Sequence, residues 1–404
     1  MSINKDQVQG RIAAAKGKAQ MTGLAMACTA MVLLPACGTA SSKPNASQAV
    51  VATPQPPAEL GEKWDAGNEA QADEIRSTVM QMLADRTQGD SFMRRDAHPK
   101  HHGCVTAFVR IDSSTLPLEL RVGVFAPDSR TEYPAWIRFS NGNPDATKPD
   151  IDKDIRGMAV KLMNVEGTTS GSQDLVMMTS KEFFARDAED YLGLHRALIG
   201  SRLSLAWHFA THVQDLEVLL RGRVRAGNPM QLEYFSSVPY KLGPRSMKFK
   251  ARPCLANPIV DEIPADPPAN YLGERLVDTL KARDACFEFL VQPNMDPAAN
   301  AVEAANRAWD EGKSPYIKVA TITIPRQGEI DSPGQMNACE NLSFDPWRGR
   351  PETRPLGQIN RMRLAIYPAV ASLRHDFNNV PAVEPRSHDI CGAETASLCR
   401  APKH

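Results

Sequence analysis

Between Cys104 and Thr179 the chain is a succession of short apolar runs with nothing but turns between them. The runs are CVTAFVRI (104–111), LRVGVFA (120–126), AWIRFSN (135–141), RGMAVKLMNV (156–165) and QDLVMMT (173–179). Each is too short for a core helix and rich in β-branched or aromatic residues, so each reads as a strand. Parallel pairing needs a crossover of a dozen or more residues, so strands joined by turns pair antiparallel. Three further runs follow: MKFKARP (247–253), CFEFLVQP (286–293) and YIKVATITIP (316–325). Closing such a sheet into a barrel removes its exposed edges. Helical spacing is confined to three stretches. These are Trp64 to Arg86, with Ile75, Val79, Met82 and Leu83 on one stripe; Asp187 to Arg223, with Tyr191, Leu194, Leu198 and Leu205; and Asn360 to Asn379. The pattern predicts an α+β fold, an antiparallel sheet or barrel with helices attached.

Composition narrows the function classes. The 404 residues are 42% hydrophobic and 23% charged, which excludes a multi-span membrane protein. Lys plus Arg (47) balances Asp plus Glu (47), so no net field draws the chain to nucleic acid. Of the 8 cysteines, Cys104, Cys254, Cys286, Cys339, Cys391 and Cys399 lie in the body without any C-x-x-C. That spacing supports neither a zinc ribbon nor a thioredoxin-type site, and free thiols are the default expectation. Cys391 and Cys399 form the pair most apt to bridge if the chain is exported.

The N-terminus reads as an address. TGLAMACTAMVLLPA (22–36) is too short to span a bilayer but suits the apolar core of a signal peptide, with Arg11, Lys16 and Lys18 before it. Leu34-Pro35-Ala36-Cys37-Gly38 resembles a bacterial lipobox, which makes Cys37 the candidate lipid anchor, although Pro35 is unusual there. A buried amphipathic helix is the competing reading of this segment. Residues 3–19 resemble the opening of the CsbD-like stress-protein family, and a start at Met21 would leave a short leader without basic residues. The organisation expected is therefore a basic segment (1–20), a lipobox-like apolar segment (21–37), a flexible Ser/Pro/Ala tether (38–62), a main domain (63–385) and a polar tail (386–404). The expected location is periplasmic or membrane-anchored, with the cytoplasm as the alternative.

Two clusters carry candidate chemistry. In RRDAHPKHHG (94–103) three of the 9 histidines fall within five residues, just before the first strand. A solvated basic loop is the bland reading, and a metal site lacks an acidic or Cys ligand at suitable spacing. His208 and His212, four apart, likewise make a weak metal motif. In the second cluster Arg363 and Tyr367 are four apart, hence on one helix face. A guanidinium beside a phenol favours the phenolate, whose ordinary pKa is about 10. A phenolate can serve as an anionic axial ligand to haem iron. Alone, R-x-x-x-Y would read as a core tyrosine.

Together RRDAHPKHHG, WIRFSNG (136–142), DIRGMAVKL (154–162), QDLVMMTSKEFFARD (173–187) and RPLGQINRMRLAIYP (354–368) resemble a haem catalase. The likeness is greatest to the short catalase-like branch lacking the C-terminal domain, and it covers roughly residues 90–380. It implies a closed antiparallel barrel of about eight strands, with helices around it and haem b as cofactor. It assigns His98 as the distal histidine, supported by the Ser140 hydroxyl, and Tyr367 as the axial ligand to the iron. Arg363 would hold the phenolate, and Arg95, Arg138 and Arg374 would bind the propionates. His98 is favoured over His101 and His102 because His-x-Lys and Gly103, five residues on, both match. The chain departs from the family at the distal asparagine, where Met178 stands. A thioether donates no hydrogen bond.

The resemblance therefore implies a haem enzyme that processes hydrogen peroxide or organic hydroperoxides, as a peroxidase or weak catalase, with a separate reductant. The competing reading is an exported haem carrier or sensor without turnover; a barrel without cofactor is a third. Homo-oligomerisation is left open.

Overall fold

Alternation along each strand sorts its residues into an inner and an outer face, and the sheet closes around the inner one. The computed structural model describes residues 55–256 and 259–400. Its strands are β1 (His101–Ile111), β2 (Glu132–Asn141), β3 (Arg156–Met163), β4 (Ser172–Met178), β5 (Tyr234–Phe235), β6 (Tyr240–Leu242), β7 (Arg245–Pro253), β8 (Ala285–Pro293) and β9 (Ile317–Ile324). Neighbours run β5-β4-β3-β2-β1-β9-β8-β7, and β5 also pairs with β7, so eight antiparallel strands close a barrel; β6 adds a hairpin to β7. Inside lie Val105, Ala107, Ile137, Phe139, Met158, Val160, Phe249, Phe287 and Ile322, all buried. The opposite face of β2, β3 and β4 carries the registered rows Trp136–Lys161–Asp174, Arg138–Ala159–Val176 and Ser140–Gly157–Met178.

Helices cover part of that outer face. They are α1 (Ala66–Arg86), α2 (Ala188–Ile199), α3 (Arg202–Thr211), α4 (Val213–Gly222), α5 (Tyr271–Ala282), α6 (Pro333–Asn341) and α7 (Gln358–Asn378). Asp65 caps α1 in a capping box with Asn68, satisfying amide groups that would otherwise lack partners. Ala72, Ile75 and Val79 of α1 pack with Ala188 and Leu192 of α2 and with Met362 and Ile366 of α7. This three-helix layer supports α7 from behind. Fully burying each large aliphatic side chain in it contributes roughly 1.5–3 kcal/mol.

The structure corrects several expectations. LRVGVFA (120–126) is two 3-10 turns, not a strand. Gly123 sits at φ +62 with Thr353 against its α-carbon, which breaks the extended run, while Leu120, Val124 and Phe125 are buried. The stretch 187–223 divides into α2, α3 and α4, separated by Gly200-Ser201, where Ser201 caps α3, and by His212.

The boundary at 62/63 falls inside packed chain. Glu62 is buried, 2.9 Å from Arg361 Nη2 and 2.8 Å from Arg354 Nη2, and it accepts the Gly357 amide. Burial pushes its carboxyl up, but these partners outweigh it and hold it below the usual range. The polar tail is packed as well: Ile390 and Leu398 join Trp136 and Phe344 in a second core. Free thiols are overturned too, because Cys104–Cys339, Cys254–Cys286 and Cys391–Cys399 are disulfides. The expected segments 1–20 and 21–37, Cys37, and the tether before Gln55 lie outside the described residues.

Candidate functional site

A cavity of about 130 Å³ lies between the outer face of β2–β4 and helix α7. His98 forms part of its wall, with Ser140, Arg138, Gly157 and Ala159 from the strands and Tyr367, Val370 and Arg374 from the helix. His98 holds a left-handed backbone, φ 56, which a non-glycine residue adopts only where its surroundings impose it. Arg138 Nη2 donates to the His98 carbonyl at 2.9 Å, and Ser140 Oγ lies 3.2 Å from His98 Nδ1. Gly157 leaves space for the ring, since a Cβ there would stand 2.6 Å from Nδ1. Burial first, then Arg138, Arg363 and Arg95, lower the imidazole pKa to about 3. His98 is therefore neutral at physiological pH, with one ring nitrogen carrying a lone pair.

Three guanidinium groups converge at one end of the cavity. Arg95 Nη2 donates to the carbonyls of Cys339 (3.1 Å), Glu340 (3.0 Å) and Leu342. Arg374 donates to the carbonyls of Glu340 (2.8 Å) and Asn341 (3.2 Å). The Cys104–Cys339 disulfide ties this carbonyl-rich segment to β1. The buried Nε atoms of Arg95 and Arg138 have no hydrogen-bond partner. Buried donors left unsatisfied are costly, and a ligand anion would relieve them. Burial and then Arg95 pull Arg374 down to about 9, still cationic at neutral pH.

At the helix wall, Arg363 Nη2 donates to the Tyr367 hydroxyl at 2.8 Å, and its guanidinium lies 5.0 Å from the centre of that ring. Arg363 is buried, which lowers its pKa, but Tyr367 and Tyr240 raise it further and hold it above the ordinary arginine value. Asn360 Oδ1 accepts from Arg363 Nη1 at 3.1 Å and fixes the guanidinium. Pro368 follows directly within α7; lacking an N–H, it leaves the carbonyl one turn back without its helical donor.

The structure brings together all seven residues that the sequence singles out. Arg95, His98, Arg138, Ser140, Tyr367 and Arg374 line the cavity, and Arg363 grips Tyr367. His101 and His102 do not line it; they face a separate polar cleft, with His102 Nε2 2.8 Å from Asn141 Oδ1. Met178 is not part of the wall either. Its backbone pairs with Phe235 where β5 closes the barrel, while Val176 and Met177 border the cavity. The His208 and His212 rings stack 4.2 Å apart, and no three-residue metal cluster occurs among the described residues.

Sequence reasoning passed over Gly157, Ser343, Phe344 and Glu340. Gly157 lies within the R-G-x-A-V-K motif, so a reason for its glycine could have been sought there. Nothing local marks Glu340.

Comparison with known proteins bears on this geometry. The family model described as Catalase matches residues 78–201. The catalase-related peroxidase of Mycolicibacterium paratuberculosis (strain ATCC BAA-968 / K-10) is 26% identical over 258 residues, which is 60% of this chain and 78% of that protein. A solved fungal catalase superposes with a TM-score of 0.56 at 16% identity, over 73% of this chain and 62% of its own. Catalase A from Saccharomyces cerevisiae gives 0.56 at 16%, over 74% and 65%. A bacterial catalase gives 0.57 at 18%, over 77% and 63%. The chain thus spans less than two thirds of the solved catalases it resembles. The matched family model, the related peroxidase and the shared closed barrel make the chain similar to catalases in fold and over part of its sequence.

Proposed function

We propose that this protein is an oxidoreductase that binds haem b in the cavity between β2–β4 and α7 and uses it to reduce hydroperoxides. The observation that carries the reading is the convergence on one cavity of a neutral histidine, an arginine-held tyrosine and three arginines, two of which (Arg95 and Arg138) have an unsatisfied buried donor. The residues fit the group. Arg95, Arg138 and Arg374 would neutralise two propionates, and the Tyr367 oxygen would bind as a phenolate whose charge Arg363 offsets. Haem, when bound, supplies the redox-active iron at which the peroxide O–O bond is cleaved.

The protein's own groups handle the protons. With Nδ1–H donating to Ser140 Oγ, Nε2 of His98 carries the lone pair. It takes the proton from the hydroperoxide and returns it to the departing oxygen, which leaves as water or an alcohol. Val176 and Met177, where they border the cavity, offer no amide to orient a second peroxide molecule. Reduction at the expense of a separate donor, with organic hydroperoxides accepted, is therefore favoured over the catalase reaction. Three disulfides among the described residues favour an oxidising compartment, and we place the protein outside the cytoplasm on that ground, with Cys37 as candidate anchor.

The test is steady-state oxidation of a reducing dye by an alkyl hydroperoxide and by hydrogen peroxide, with oxygen release followed in parallel. Dye oxidation should exceed oxygen release, and His98→Ala should abolish turnover while haem stays bound. Full activity in His98→Ala contradicts the reading; haem binding without turnover in the wild type would instead support a carrier or sensor.

A further inference from the structure

We propose that Glu340 sets the charge of the arginine end of the cavity and thereby selects a porphyrin carrying two carboxylates. The inference rests on the haem reading above. Glu340 lies near the C-terminus of α6, is 4% exposed, and neither of its carboxylate oxygens has a hydrogen-bond partner. A bare buried carboxylate is costly, and a negative side chain near a helix C-terminus gains nothing from the helix dipole. Stabilising α6 therefore does not explain it.

The charges around it do. The segment before β1 supplies Arg94 and Arg95, β1 supplies His101, β2 supplies Arg138 and α7 supplies Arg374. The nearest basic side-chain nitrogens are His101 Nε2 at 3.5 Å and Arg94 Nη1 at 3.9 Å. Arg94 is more than half exposed and screened by solvent. His101 is neutral, because burial outweighs Glu340 and, with Arg138 and Arg95, lowers its pKa to about 3. Asp96, also at the cavity wall, has Arg86 as its own partner at 3.4 Å. The arginine end therefore consists of three guanidinium charges and one carboxylate, leaving a net charge of two positives. Two propionates would bring it to zero. Without Glu340 one positive charge would remain uncompensated in a buried site.

The full-length apoprotein should be titrated with metal-free protoporphyrin IX and with its monomethyl ester, following tryptophan fluorescence quenching; neither iron nor turnover is needed. In the wild type the diacid should bind more tightly than the monoester. In Glu340→Gln each carboxylate meets one more net positive charge, so the diacid-to-monoester affinity ratio should rise about tenfold for charges roughly 10 Å apart. Glu340→Asp keeps the charge and should leave the ratio within about twofold. An unchanged ratio in Glu340→Gln overturns the proposal, as does an equal shift in Glu340→Asp. If Glu340→Gln does not fold, the wild type decides: coproporphyrin, with more carboxylates, should bind more weakly than the diacid, and equal or tighter binding refutes the charge match. A wild-type chain that binds no porphyrin would defeat the haem reading itself; binding with an unmoved ratio defeats this inference alone.

Discussion

Replacing Gly157 with alanine tests how closely the imidazole of His98 is positioned. The new Cβ would stand 2.6 Å from His98 Nδ1, 2.7 Å from its Cε1 and 2.7 Å from Ser140 Oγ. Ordinary van der Waals contact begins near 3.4 Å. The ring must therefore retreat by roughly 0.8 Å, which strains or breaks its contact with Ser140. Misplacing a catalytic group by 1 Å costs about 100-fold in rate. Stability should fall by about 0–2.5 kcal/mol, because alanine suits a strand better than glycine by about 0.5–1 kcal/mol while the overpacking costs about 1–3 kcal/mol. The assay is kcat/KM for dye oxidation by an alkyl hydroperoxide, with haem affinity and thermal unfolding measured on the same samples. We expect a fall of about 100-fold in kcat/KM at nearly unchanged haem affinity. A kcat/KM within about threefold of the wild type would refute the argument that this glycine exists to seat the histidine.

His102 is buried, and its pKa is lowered from 6.5 to about 4, chiefly by burial. The unfolded chain protonates this imidazole as pH falls through 6.5, the folded chain only near 4, so the contribution is present at neutral pH and lost on acidification. Between pH 7 and 5 that loss is about 2 kcal/mol; urea denaturation of His102→Asn should show a pH dependence shallower by that amount, and identical slopes would count against it. The Cys104–Cys339 bridge closes a loop of 235 residues. The double alanine variant should lose about 3–5 kcal/mol and bind haem more weakly, because the carbonyls that hold Arg95 and Arg374 are released; unchanged haem affinity would separate the bridge from the site.

What could be read from the sequence followed the range over which each signal acts. Strand runs and turn spacing are local, and seven of the eight strand-like runs are strands. The failure, LRVGVFA, has the composition of a strand but carries Gly123 at a positive φ that the run does not announce. The two-residue β5, which closes the barrel, is too short to show periodicity. Arg95 with His98, and Arg363 with Tyr367, sit close together in the chain and were legible as clusters. Glu340 was not, since the basic side chains facing it come from positions 94, 95, 101, 138 and 374. The disulfide partners Cys104 and Cys339 are likewise brought together only by the tertiary fold. Met177 and Met178 show the limit of motif alignment, because which of two adjacent residues borders a cavity depends on how the strand ends.

The central claim is that the Tyr367 oxygen, held by Arg363, ligates haem iron. The most direct measurement is the absorption spectrum of the protein purified from cells supplied with haem precursor, alongside Tyr367→Phe. The account predicts a ferric haem spectrum in the wild type that is lost or clearly shifted in the variant. A colourless wild-type protein, or a haem spectrum indifferent to the substitution, would contradict it.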